Sequence, residues 1–233
     1  MRQCYRKNRL VREFRGYPVM VTRLALAGRS FELLGPASYD ELLEMPSVVK
    51  RFEKDEYLPY WAQIWPACLL LADAVAAWEK VDDDPPRVLE IGCGLGLVSL
   101  VLSSLGYCVL ASDCDADALA FVVENARRNG LPVPQTRRFD WRESYANLSF
   151  DRIVAADVLY ETRHLRPVAE FIRAQLRSDG FALVADANRM TANDFGTVAR
   201  HCGLAVDVTA VERSSPTEDQ PVRGRIFHLR REK

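Results

Sequence analysis

The sequence predicts an α/β fold: a doubly wound, mostly parallel seven-stranded sheet ending in an antiparallel hairpin, with a small extension before it. Three observations predict it. Beyond the polar break Asp82-Asp83-Asp84-Pro85-Pro86, apolar strand, turn and helical segment alternate repeatedly, as parallel strands joined by crossover helices require. Glycine follows closely on three helical segments, at Gly106, Gly130 and Gly203, a common helix stop. With 233 residues, 48% hydrophobic and 27% charged, the chain holds enough apolar side chain for a core of that kind.

The extension, residues 1–56, begins with Arg2, Arg6, Lys7, Arg9, Arg12 and Arg15 against a lone Glu13. A mitochondrial leader, a docking surface and a solvated tail all fit such a start, and the general mobility of termini favours the tail. Short strands are expected at 19–24 and 31–34 around a turn at Gly28, then a helix over 39–50. The main domain, residues 57–233, opens with Leu58-Pro59-Tyr60-Trp61-Ala62-Gln63-Ile64-Trp65-Pro66, whose prolines and aromatics mark a packed loop leading into a helix over 67–79. Strands follow at 87–91, 108–112, a short one ending at 139, 152–156 and 181–185, with a closing hairpin of 205–211 and 225–229. Helices at 97–105, 116–129, 164–176 and 193–201 lie between them, and 214–221, rich in Ser, Pro and acid, reads as a mobile loop.

Composition narrows the function classes. A formal net charge of −1 argues against a dedicated nucleic-acid binder, whose affinity comes from concentrated positive charge. Six cysteines without a CxxC pair or regular spacing suggest neither a zinc site nor a disulfide framework, so no metal is expected and a reducing, cytoplasmic setting fits. The most apolar stretch, 97–111, is interrupted by Ser99, Ser103, Ser104 and Gly106 and falls short of a bilayer span.

The chemistry concentrates in Val88-Leu89-Glu90-Ile91-Gly92-Cys93-Gly94-Leu95-Gly96, a strand running through a glycine turn into a helix. Glycines allow the backbone to lie directly against a ligand, and the helix start offers free amides. Dinucleotide sites favour G-x-G-x-x-G, which would need glycine in place of Leu97; here the spacing is G-x-G-x-G with Glu90 just ahead. A positively charged sulfonium cofactor tolerates that acid better than a pyrophosphate would. Asp113, at the end of the second strand, can accept hydrogen bonds from both ribose hydroxyls of an adenosine. After the third strand, Asp140 offers a carboxylate for the adenine amino group and Trp141 an indole to pack near its ring. Taken singly, each has an ordinary structural reading: a tight bend, a helix cap, a core tryptophan. Their order along successive strand ends, where open α/β sheets bind ligands, favours one adenosyl ligand.

These residues resemble the class I, seven-β-strand, Rossmann-like S-adenosylmethionine-dependent methyltransferases, over residues 57–230. Asp157-Val158-Leu159-Tyr160 resembles the Asp-x-x-Tyr motif of the protein lysine methyltransferase group within that family, and Pro59-Tyr60-Trp61-Ala62 with Trp65-Pro66 resembles its N-terminal signature. The set is similar to the electron-transfer-flavoprotein β-subunit lysine methyltransferases and their bacterial relatives. Those relatives often carry Asp-Pro after the fifth strand, where this chain has Asp186-Ala187-Asn188-Arg189. The resemblance implies S-adenosylmethionine as cofactor, S-adenosylhomocysteine as product and a protein lysine as acceptor. It further implies cofactor contacts from Trp65, Glu90, Gly92, Gly94, Gly96, Asp113, Asp140 and Trp141, and an acceptor channel lined by Asp157 and Tyr160. The residues alone support all these cofactor contacts except Trp65, where packing is an equal reading, as it is for Trp61. Asp157 is expected to orient the acceptor or to cap a helix beginning near Thr162, and Tyr160 to touch the acceptor or to pack. A small-molecule amine as acceptor, or a non-catalytic module on the same scaffold, would leave every cofactor residue in place.

Overall fold

The computed structural model describes residues 7–26, 28–146, 148–214 and 221–232, with side chains from residue 13 onward. Strands β4 (Arg87–Ile91), β5 (Cys108–Asp113), β6 (Gln135–Arg138), β7 (Phe150–Ala156), β8 (Leu176–Asp186), β9 (Leu204–Arg213) and β10 (Val222–Arg231) form one sheet. Their spatial order is β6-β5-β4-β7-β8-β10-β9, so the direction of winding reverses between β4 and β7. The first five pair in parallel, while β10 lies antiparallel between β8 and β9. Open sheets of this design place ligands where the order reverses, outside the carboxyl ends of the strands.

Two hydrophobic clusters cover the two faces. Helices α3 (Pro66–Ala76), α4 (Leu97–Ser104) and α5 (Ala116–Arg128) share one with the N-terminal strands. Helices α6 (Leu165–Gln175) and α7 (Phe195–His201) pack in the other. Phe121, Phe150 and Phe195 are among the largest side chains fully buried in these layers.

The amino-terminal region departs from the sequence expectation in two places. Residues expected to form a solvated tail include a strand, β1 (Lys7–Phe14), which pairs antiparallel with β2 (Tyr17–Leu26), itself paired with β3 (Arg29–Pro36). The expected helix over 39–50 is two helices, α1 (Tyr39–Leu43) and α2 (Pro46–Asp55), with Met45 extended between them (ψ 133°). Proline forces the residue before it out of the helical region and is itself well placed at a first helical position. The three-stranded sheet docks on α5: buried Asn125 donates to the Leu34 carbonyl at 3.0 Å and accepts from the Leu34 amide at 2.7 Å, and Asn129 repeats the device with Glu32. Smaller differences fall at element ends. The third strand stops at Arg138, and β8 begins at Leu176 directly after α6. Most of the 214–221 stretch lies outside the described residues.

Candidate active site

The carboxyl end of β4 runs into a turn in which Gly92, Gly94 and Gly96 have φ of 66°, 51° and 86°. Side chains rarely adopt this left-handed region. The turn is also closely overlaid: a Cβ on Gly92 would lie 2.9 Å from Val158 Cγ1, and one on Gly94 3.2 Å from the Trp61 carbonyl oxygen. The aromatic loop therefore crosses the turn with its backbone, while the Trp61 ring packs against Phe121 (centroids 5.3 Å apart) and Tyr17.

At the neighbouring strand end, Asp113 is 8% exposed. One carboxylate oxygen accepts the Gly94 amide at 3.0 Å and the other the Asp115 amide at 2.9 Å. Burial pushes its carboxyl up to about 6, against the lowering effect of those amides. Each oxygen retains a lone pair, so the carboxylate can still receive two hydroxyls from the ligand side. Asp115, in turn, accepts from the Tyr57 hydroxyl and from Arg51 at 3.2 Å, and caps α5. These partners of the strand end are invisible to motif spacing because they come from residues 51 and 57.

Glu90, expected to touch the cofactor, lies packed between strand and helix. It is 2% exposed and bonded to the Ser99 hydroxyl, within the first turn of α4. Burial raises its carboxyl to about 8, so at neutral pH it is a protonated clamp between strand and helix, not a charge beside the turn. Asp140 is likewise engaged: Arg142 forks onto it at 2.5–3.0 Å and holds its carboxyl below the usual range. An adenine amino group would share Asp140 with that guanidinium.

Trp141 reaches the glycine turn; its Cζ3 would be 3.7 Å from a Cβ on Gly92. It meets His164 edge-on (5.4 Å), and His164 meets Tyr160 edge-on (4.9 Å). Trp141 Nε1 and His164 Nδ1 are both buried, with no hydrogen-bond partner among the described residues. His164, which stands in no motif of the sequence, is 6% exposed and joins the Trp141 indole to the Tyr160 phenol. Burial lowers its imidazole below the usual value.

A second group of residues gathers at the ends of β7 and β8. Asp157 has φ 55° and is 8% exposed. Its Oδ2 accepts the Ala67 amide at 2.7 Å, and its Oδ1 accepts from Arg189 at 3.1 Å. Asp157 thus caps α3 rather than a helix near Thr162, where a short 3-10 turn (Thr162–His164) leads into α6. Tyr160 also contacts Tyr60 (5.0 Å), and burial raises its hydroxyl above the phenol range. Trp65 donates to the Tyr60 carbonyl at 2.7 Å, meets the Tyr60 and Tyr39 rings edge-on, and lies under the Arg189 guanidinium at 5.6 Å. Its contacts group it with Tyr60 and Arg189 at the ends of β7 and β8. Among the described residues, no cluster of three or more His, Cys, Asp or Glu is arranged to hold a metal ion, and no helix is long and apolar enough to cross a membrane.

A reversed α/β sheet with a glycine cradle and a buried acid at adjacent strand ends defines a binder of a nucleoside-like ligand. Residues 60–216 match the family model described as a methyltransferase domain. The chain belongs to that family. It is 36% identical over 115 residues to protein-lysine methyltransferase METTL21E of Bos taurus, a match spanning 43% of this chain and 38% of that one. It is 28% identical over 190 residues to protein-lysine N-methyltransferase rrg1 of Schizosaccharomyces pombe, spanning 74% and 62%. The chain thus spans less than two thirds of the length of either relative. Among solved structures, the ribosomal protein L11 methylase of Lactobacillus delbrueckii subsp. bulgaricus superposes with a TM-score of 0.54 at 18% identity, over 70% of this chain and 77% of that one. Magnesium protoporphyrin IX methyltransferase of Synechocystis, solved with S-adenosylhomocysteine, gives 0.54 at 16% identity, over 70% and 82%. Both likenesses establish the fold.

Proposed function

We propose that this chain transfers a methyl group from S-adenosylmethionine to the ε-amine of a protein lysine. The observation that carries the reading is the continuity of the two half-sites: Val158 packs on the Gly92 turn, and its neighbour Asp157 anchors α3 beside Tyr60, Tyr160 and Trp65. The protein-lysine methyltransferases among its relatives support the choice of acceptor.

The residues present fit the cofactor. The Gly92–Gly96 turn would face its methionine and ribose portion, Asp113 would receive its ribose hydroxyls, and Trp141 would border its adenine. When bound, the cofactor supplies an electrophilic methyl carbon on a positively charged sulfur. The chain's task is alignment and exclusion of water. Tyr160, Tyr60 and Trp65 form an aromatic wall suited to an alkyl stem carrying an amine. A lysine ammonium, with a reference pKa of about 10.4, must lose its proton before it attacks, and the low polarity of that wall assists the loss. We also propose a reducing, cytosol-like location; the five cysteines among the described residues are free thiols. The division into an extension through residue 56 and a methyltransferase domain from residue 57 belongs to the same proposal.

Incubating the protein with methyl-labelled S-adenosylmethionine and cell extract tests the reading. Acid-stable label on a protein band, recovered as methyl-lysine after hydrolysis, is the expected result. Label confined to the small-molecule fraction would replace the lysine with a metabolite amine, and the absence of label would remove the enzymatic reading.

A further inference from the structure

Building on the amine reading above, we propose that Arg189 is a positioning residue that masks the charge of Asp157 at the acceptor mouth, so that an incoming amine is not held there as ammonium. A bare carboxylate beside an amine favours the protonated form, whose nitrogen has no lone pair with which to attack. Asp157 stands where it would do this harm, at the end of β7 and three residues before Tyr160. Both its oxygens are engaged: Oδ2 by the Ala67 amide at 2.7 Å, Oδ1 by Arg189 Nε and Nη2, each at 3.1 Å. The first contact is structural and involves no charge. The second cancels the charge.

The backbone of Arg189 is held for this purpose by a separate, balanced pair. Its amide donates to Asp186 Oδ1 at 2.9 Å and its carbonyl accepts from Arg225 Nη2 at 2.9 Å, while Arg225 also bonds Asp186 at 3.2 Å. Asp186 is fully buried. The Arg189 side chain, 32% exposed against 4% for Asp157, extends from this fixed base across the Trp65 ring. The charged groups bonded to one another at the mouth are Asp157, Asp186, Arg189 and Arg225, two of each sign, with the phenols of Tyr60 and Tyr160 beside them; Glu161, paired with Arg163, together with Arg142 and Asp113, faces Tyr160 from the other side. An amine entering this balanced environment gives its proton to water without a carboxylate opposing the loss.

The test is the pH dependence of initial methylation rate, with the extract protein that takes up label as acceptor and S-adenosylmethionine saturating. Arg189→Gln should move the acid limb up by about one pH unit and lower the rate near pH 7 about tenfold, with recovery at high pH. Arg189→Lys should keep the wild-type limb. In the double variant Arg189→Gln with Asp157→Asn, the asparagine oxygen still receives the Ala67 amide but brings no charge, so the limb should return to its wild-type position. A purely structural role for Arg189 gives a different outcome: a loss equal at every pH, or a shift that persists in the double variant, and either overturns the proposal. Calorimetric affinity for S-adenosylhomocysteine should be alike in all four proteins; a loss confined to the Arg189 variants would reassign the residue to the cofactor and also overturn it. Absence of label with the wild type at any pH would count against the lysine reading itself, and this proposal would fall with it.

Discussion

The two halves of the site, one at the ends of β4 and β5 and the other at the ends of β7 and β8, hold their central acids differently: Asp113 and Glu90 by amides and a hydroxyl, Asp157 and Asp186 by an amide and a guanidinium each. On the first side, Asp113 is held by the amides of Gly94 and Asp115, and Glu90 by a serine two residues into α4. All these partners lie within about one strand-turn-helix unit of each other. On the second side, Asp157 is held by groups 90 and 32 residues away, and Asp186 by Arg225, 39 residues on. Backbone amides bind a carboxylate without neutralising it, whereas guanidinium groups do both. The first half is therefore suited to present an ionised acid to neutral hydroxyls, the second to present no net charge to an amine.

Variants that disturb one half and leave the other intact sharpen this contrast. The largest effect is expected from Glu90. Its folded carboxyl, raised to about 8, lies above the ordinary value in the unfolded chain, so the folded state binds the extra proton. The stability it contributes is full below pH ~4.5 and is lost progressively as pH rises to 8, at up to about 1.4 kcal/mol per unit. Denaturant titrations should show this slope in the wild type and its loss in Glu90→Gln, with a gap on the order of 4 kcal/mol at pH 8. Parallel curves would mean that Glu90 is ionised in its clamp.

Removing Asp157 should follow. Asp157→Ala leaves the Ala67 amide and the Arg189 cation without their partner, a loss of about 2 kcal/mol in unfolding free energy. S-adenosylhomocysteine affinity should stay within about threefold, which calorimetry will show, because the disturbed groups belong to the second half. Gly92→Ala acts at the contact between the halves. Its φ of 66° and the 2.9 Å approach to Val158 should reduce the same affinity about tenfold with only a modest fall in melting temperature. Smallest is a pH effect on binding: Asp113, with its carboxyl near 6, should lose ionisation below that point. Affinity should then weaken about twofold from pH 7 to 6 and more steeply below, a dependence that Asp113→Asn should abolish.

How far the sequence could be read follows the same division. The strand of residues 87–91 was readable to the residue, and so was the glycine turn that follows it, because their geometry is set by neighbours close in the chain. The break at Pro46 was equally local and was overlooked: proline alone should have ended the first helix there. Strand β1 was hidden for another reason, since basic residues interspersed with apolar ones serve an edge strand as well as a tail. Glu90 could not be assigned correctly from spacing, because only the packing of α4 on the sheet shows that its carboxyl meets Ser99. Arg189, Arg225 and His164 carried no motif; each acts through a partner brought near by the fold.

The most direct test of the cofactor half is calorimetric titration of S-adenosylhomocysteine into the wild type and Asp113→Ala at pH 7.5. Saturable one-to-one binding should be found for the wild type, and a loss of roughly a hundredfold or more in a variant that still melts cooperatively. Equal affinity in the two proteins, or no binding by the wild type, would show that the strand-end cradle does not hold an adenosyl group.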